Sequence, residues 1–436
     1  MTSAPAPPEP PFKVTSPADI QSYILHTLGF QPEASLVLLT MSGKRVGATL
    51  RVDLPHPDAD PGAYAAGLCS ILASDTSADG ALMILYTGES WDRYGPPPRQ
   101  ELVGYLRQAL DAAGLALRDG WLVNENYWRD YFCQDPGCCP WPGHPLASVQ
   151  NSPLNAELVY RGSSYAESLT AAVGNVGREP WTDRADLTRR WRREESRLRR
   201  RWRDASQFKA TLAFWEKLFD TAPESAMTEP RPEEPAPAEC TTGGPAADLE
   251  VTAHLLASLT CRSMRDAVLV LSGLGKDIAL QGAAELGLLR GAGPAGTPHA
   301  DTADRETPQV ENPDVDTPDV AAPDAGAAGD RYCNVLIGRY RGQLQWHRID
   351  AAHRHLTRLS AVAEGEPLAA LLAMLGWIEW ARGRGSRAHL YFQQSLTVHP
   401  GYTLAELLEE VVARGMLPEW SRDKDLAWRN GTPAAT

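Results

Sequence analysis

The sequence predicts an α/β N-terminal domain, a mixed sheet with flanking helices, followed by an all-α region with a tetratricopeptide-like helical hairpin. Three observations carry that prediction. Up to about residue 170, short apolar runs of strand length alternate with stretches of helical periodicity. Beyond residue 178 only the helical period recurs. Two Pro-rich segments poor in large apolar residues interrupt this second part.

The elements follow in order. Residues 1–11 read as a disordered Pro/Ala tail, and the α/β domain spans 12–170. "SPADIQSYILHTLG" predicts a helix capped by Ser16, with Pro17 at its first position, Asp19 in the first turn and Gly29 at its end. Two β-rich runs flank "SGK", a hairpin pattern, and "SLVLLT" is apolar enough for a strand buried on both faces. "PGAYAAGLCSILASD" reads as a helix, "ALMILY" as a strand and "RQELVGYLRQALDAAG" as a helix. "ALRDGWLVNENYWRDYF" reads as a strand or hairpin leading into a cysteine-rich loop.

The helical part opens with an Arg-rich segment, 178–220, in which Leu187, Trp191, Leu198 and Trp202 fall near one face. A Pro/Glu/Ala linker, 221–247, precedes a helical segment, 248–290. An acidic Pro-rich segment, 291–330, buries too little to offset its ordering entropy and is expected to be disordered. The last part, 331–430, is helical and is expected to pack with 248–290. Its Trp377, Gly383, Gly385, Ala388, Tyr391, Leu396 and Pro400 resemble one tetratricopeptide repeat, too few for a free-standing solenoid.

A chain of 436 residues implies more than one domain. The formal charge of −13 argues against a surface that coats nucleic acid throughout, while leaving room for a local basic patch. The N-terminus lacks the apolar core of a signal peptide, and no run is long enough to span a membrane. A cytoplasmic protein is expected, with thiols that are free or bind metal.

Five blocks carry a family likeness: "SPADIQSYILHTLGFQPEASLVLL", "LRVDLP", "YFCQDPGCCPWPGHPL", "RDAVLVL" and "HPGYTLAELL". Together they resemble the actinobacterial domain-of-unknown-function 4192 family. The likeness covers about 12–290 and 331–420 and implies no activity. The family's block often has His where this chain has Gln31, a departure that argues against a catalytic role there. The high Arg, Ala, Pro and Trp content also fits such a source.

Three groups of residues offer chemistry. Cys133, Cys138, Cys139 and His144 could supply three thiolates and an imidazole to zinc, the one cofactor the residues raise. The spacing C-x4-C-C-x4-H is wider than usual, and adjacent cysteines normally point apart. The same residues also fit a redox pair or a compact turn that buries small thiols. Arg51 and Asp53 share a strand face and fit either a ligand site at a strand end or a terminating salt bridge. Arg189, Arg190, Arg193, Arg197, Arg200 and Arg201 fit phosphate contacts, docking on an acidic partner, or a solvated ion-paired helix with Glu194 and Glu195.

Other patterns are decoys. "RGSSYAE" approximates a nucleophile elbow, but Ala166 replaces the last Gly and the flanks read helix–turn–helix, with Ser163 or Ser164 as an N-cap. "VLSGLGKD" is no phosphate loop, since Val270 and Asp277 break the pattern. His353 and His355 are two apart and face different sides of a helix. With no complete catalytic motif, the leading expectation is an interaction or scaffold protein with a protein partner. An enzyme or small-ligand site near Arg51, Asp53 and the 133–144 loop is the alternative, and nucleic-acid binding through the Arg-rich helix is the third reading.

Overall fold

The computed structural model describes residues 12–174, 184–220, 249–290 and 327–429. The expected tail 1–11, the linker 221–247 and all but the end of the acidic segment 291–330 lie outside the described residues. The chain forms two compact units, residues 12–174 and 184–426 of the described chain.

The first unit begins with α1 (Pro17–Leu28). The Ser16 hydroxyl accepts from Asp19 N at 3.2 Å, and the Asp19 carboxylate accepts from the Ser16 and Thr15 amides at 3.1 and 3.0 Å. This capping box satisfies helix-end donors that would otherwise lack partners. Gly29 ends the helix at φ 74°, a left-handed conformation that favours glycine.

β1 (Ser35–Ser42) and β2 (Arg45–Asp53) form the expected hairpin. Then follow α2 (Pro61–Leu72), β3 (Gly80–Tyr86), α3 (Gln100–Ala112), β4 (Ala116–Val123), β5 (Tyr127–Asp130) and β6 (His144–Pro145). Three short helices close the unit: α4 (Ala147–Gln150), α5 (Pro153–Tyr160) and α6 (Leu169–Val173). The six strands run in the order β2-β1-β3-β4-β5-β6. β3 and β4 are parallel and the other pairs antiparallel, so the sheet is mixed, as the sequence predicts.

Strand alternation sorts the core into two layers. Val37, Leu39, Ile84, Tyr86, Trp121 and Val123 face α1, α4 and α5. Leu36, Leu38, Met83, Leu85 and Leu122 face α2 and α3. β1 is therefore buried on both faces, which is what its unbroken apolar run predicts. Each such aliphatic side chain contributes about 1.5–3 kcal/mol by leaving water.

The second unit is all helix: α7 (Arg184–Leu198), α8 (Ala205–Asp220), α9 (Leu249–Ser258), α10 (Arg262–Leu274), α11 (Lys276–Glu285) and α12 (Ala328–Leu336). It continues with α13 (Trp346–Val362), α14 (Gly365–Ala381), α15 (Gly385–Val398) and α16 (Thr403–Ala413). α12 begins ahead of the boundary expected at 331 because Ala328 and Tyr332 seat on Gly282 of α11. Small residues there look like linker in composition but serve close helix packing. α14 is buried along its length from Pro367 to Ala381 and packs against α15, with Gly376 against the Phe392 ring. Three buried indoles find partners: Trp377 donates to Leu336 O at 3.0 Å, Trp380 to Met416 O at 2.8 Å and Trp420 to Ala381 O at 2.8 Å. Among the described residues, no helix is long and apolar enough to cross a membrane.

Candidate functional site

Cross-strand register places Asp53, Ser35, Tyr86, Val123, Trp128 and His144 in one row at one end of the sheet. Residues paired in this way share a face. The row runs from one sheet edge to the other. Arg51 and Asp53 lie on edge strand β2, whereas the cysteine loop joins β5 to the opposite edge strand β6. Five strand spacings of about 4.8 Å put them roughly 24 Å apart. The structure therefore does not bring Arg51 and Asp53 into one site with the 133–144 loop. The physical reason is strand order: β1, β3, β4 and β5 are inserted between the two edges. Arg51 instead donates to Ser35 Oγ at 2.6 Å and bridges Asp53 at 2.6 Å, with Asp53 largely exposed.

The cysteine loop folds tightly. Asp130 accepts from Phe132 N and Cys133 N at 2.7 and 2.8 Å. Asp135 accepts from Gly137 N through its side chain, and its carbonyl accepts from Cys139 N, both at 2.8 Å. These turns return the chain on itself, and Cys133, Cys138 and Cys139 bring their Sγ atoms within 4.8 Å of one another. Cys139 is buried and Cys138 exposed. Burial pushes the Cys139 thiol up to about 12, and Cys133 beside it adds to the rise.

His144 does not join the three thiols. Its ring stacks on Trp128 with centroids 4.6 Å apart, and its Nε2 meets the Cys138 carbonyl oxygen at 3.2 Å. Pairing in β6 fixes it there, a strand that sequence periodicity does not predict. Gly143 makes the approach possible: at φ 153°, a Cβ there would stand 2.7 Å from Trp128 O. Beside the loop, the Arg129 guanidinium lies over the rings of Trp91 and Trp141, 4.4 and 5.3 Å from their centroids.

Between these edges, a cleft opens at the carboxyl ends of parallel strands β3 and β4. It encloses about 290 Å³ including its open mouth. Gln21 and Leu25 of α1, Gln31, Tyr86, Val123 and Val149 are among its walls. Gln21 Nε2 and Tyr86 Oη, both on buried residues, have no hydrogen-bond partner among the described residues. Buried polar atoms normally have one, and the base of the cleft has room for about one water. A cleft beyond the carboxyl ends of parallel strands is where open α/β sheets bind ligands.

α1 carries a buried polar line at helical spacing. Asp19 accepts from Leu154 N at 3.2 Å. Ser22 donates to Val149 O at 2.7 Å. His26 reaches Ser163 Oγ at 2.9 Å and Asn155 Oδ1 at 3.0 Å. Neither Ser163 nor Ser164 is an N-cap, which corrects the sequence expectation. Ser168 caps α6 instead, accepting from Ala171 N at 3.1 Å.

In the second unit, Arg189 and Arg190 pair with Asp186, at 3.1 and 2.7 Å. Arg190 and Arg193 also reach Glu250, Arg197 pairs with Glu194 at 2.7 Å, and Arg201 with Asp204 at 3.6 Å. Of the six arginines singled out by sequence, Arg200 has no ion pair among the described residues. The charge of α7 is thus largely matched in place. His353 pairs with buried Glu379 at 3.1 Å, away from His355 in role, as their spacing implies.

A protein-family model described as "Domain of unknown function (DUF4192)" matches residues 17–285 and 344–419. The chain belongs to the DUF4192 family. No curated protein and no solved structure matches it. The DUF4192 match spans α1, the cleft, the cysteine loop and Ser163 in the first unit, so every feature described there lies in the family's own domain. Reading the sequence for motifs missed Gln21, Tyr86, His26 and Asn155, and took Ser163 only for a candidate N-cap. One signal could have found His26: Asp19, Ser22 and His26 form a polar stripe on a helix whose neighbouring face is apolar.

Proposed function

We propose that this DUF4192 chain is a thiolate metal protein that holds one zinc-class divalent ion on Cys133, Cys138 and Cys139. The observation behind this reading is the convergence of three sulfurs within 4.8 Å. Three soft ligands on so short a loop select zinc-like ions over magnesium or calcium, which take oxygen ligands. A cation would also draw the proton from a buried thiol such as Cys139. With His144 engaged elsewhere, three protein ligands leave a fourth position for solvent or substrate beside exposed Cys138.

The test is metal content by mass spectrometry on full-length protein purified without chelator. One equivalent of zinc in the wild type, lost in Cys138→Ser, is the expected result. A folded wild type that neither carries zinc nor takes it up from solution would end the proposal.

An interaction role has its own support. Tyr127 on β5, and Phe132 and Trp141 on the loop, are each more than a third exposed, with Trp141 at 37%. Aromatic residues of this kind anchor protein interfaces. A photo-crosslinking residue at position 141 should capture one recurrent protein in cells, and a lack of any adduct would remove this second reading.

A further inference from the structure

We propose that Ser163 is the nucleophile of a separate acyl-transfer site, with His26 as its general base and Asn155 as the residue that positions the imidazole. The site is independent of the cysteine loop and uses α1, α5 and the turn that follows α5.

The hydrogen-bond network sets the tautomer. Asn155 Nδ2 donates to Gln150 O at 2.6 Å, which turns Asn155 Oδ1 toward His26 Nε2, 3.0 Å away. An amide oxygen has no proton to give, so Nε2 must carry the hydrogen. Nδ1 is then left with its lone pair, and it faces the Ser163 hydroxyl at 2.9 Å. Flipping the amide would set Asn155 Oδ1 against the Gln150 carbonyl, acceptor against acceptor. A purely structural histidine needs two partners of any kind. This one has a fixed donor side and an acceptor side aimed at a hydroxyl, the arrangement a nucleophilic serine requires.

The surroundings suit the task. Burial lowers the pKa of His26, so the ring is neutral near pH 7 and can accept a proton. The Tyr165 ring stands edge-on to it, with centroids 5.0 Å apart. After α5 the chain turns through Gly162, at φ 82°, and Ser163 N closes onto Leu158 O at 3.0 Å. The next two amides, Ser164 N and Tyr165 N, have no hydrogen-bond partner among the described residues. Both are free to donate to a developing oxyanion at Ser163, although Ser164 is exposed and its amide also meets solvent. The nearby cation, Arg161, is bonded to Glu157 at 2.6 Å and lies over the Phe12 ring. The site therefore fits an uncharged carboxylic ester better than an anionic one.

The reaction is an ordinary two-step hydrolysis. Ser163 Oγ bonds to the ester carbonyl carbon while its proton passes to His26 Nδ1. The carbon–alkoxy bond breaks, and the leaving alkoxide takes that proton as the alcohol. Water then attacks the acyl-serine, again giving its proton to Nδ1, and the acid departs as Ser163 recovers its proton.

The experiment is covalent labelling of the full chain with a fluorophosphonate, followed by peptide mapping and by turnover of p-nitrophenyl acetate. The expected result is one adduct, on Ser163, absent in Ser163→Ala, with labelling slowed by about 100-fold in His26→Gln. The wild-type rate should rise with pH around a midpoint below 6.5, the ordinary histidine value. Asn155→Asp should raise that midpoint, because a carboxylate favours the imidazolium. A merely structural contact would not move it. No adduct on folded wild type, an adduct that persists in Ser163→Ala, or a rate and midpoint indifferent to position 26 or 155 would overturn the proposal.

Discussion

The two units bury different kinds of polar group. The helical unit buries a charged cluster around one carboxylate. Glu379, 1% exposed, contacts Arg382 at 2.6 Å, His353 at 3.1 Å and Arg384 at 3.6 Å. The carboxyl is held far below the usual range: burial alone would raise it, and His353 with the two guanidiniums overcomes that effect. Arg384 is itself lowered to about 10 by burial. In the α/β unit, polar groups gather at one end of the sheet and on its covering helix. Gln21 Nε2 and Tyr86 Oη have no hydrogen-bond partner among the described residues, and three thiols converge on one loop. Both units hold buried polar atoms without a hydrogen-bond partner among the described residues, Trp191 Nε1 and Trp202 Nε1 in the helical one, so a missing partner alone does not mark a site, whereas convergence of like ligand atoms does.

The sharpest way to break this comparison is Glu379→Ala. It removes the buried carboxylate that faces Arg382, Arg384 and His353 and should cost the helical unit about 3–5 kcal/mol in urea unfolding. A cost below about 1 kcal/mol on the same scale would mean the cluster is not a structural keystone. On the other side, saturating zinc should stabilise the α/β unit by about 2.7 kcal/mol at a hundredfold excess over Kd, read as a thermal shift that Cys138→Ser abolishes.

Gly376→Ala comes next. Its methyl would collide with the Phe392 ring between α14 and α15, and about 1–3 kcal/mol should be lost by denaturant titration. Glu194 gives a smaller, pH-dependent effect. The Arg197 guanidinium, and then His254, hold it down to about 2 from 4.5. A depressed carboxyl contributes stability that is fully present above 4.5 and is lost as pH falls toward about 2. Glu194→Gln should flatten the stability profile in that acid window. Asp53→Asn should change stability least, by about 0–1 kcal/mol, because its bridge to Arg51 is exposed on the Asp53 side.

Much of the fold was legible because its signals are local. Ser16, Asp19 and Gly29 announce both ends of α1, and the apolar run of β1 announces a strand covered on both faces. The site was less legible. Spacing argued against zinc because adjacent thiols point apart in extended chain. The Asp130 and Asp135 turns remove that objection, and nothing in C-x4-C-C reveals where side-chain acceptors will bend the backbone. His144 was grouped with the thiols by nearness in sequence and was claimed by β6 and Trp128 instead.

By itself, then, the sequence determined the order of elements, the split between an α/β unit and a helical unit, and the family, because capping, periodicity and motif order act over a few residues. Only the tertiary structure decided which distant groups meet. It set Arg51 and the cysteine loop at opposite sheet edges, and it drew His26 to a serine far along the chain at 2.9 Å. Strand order and helix packing make those choices, and they depend on the whole core being buried at once rather than on any short stretch of residues.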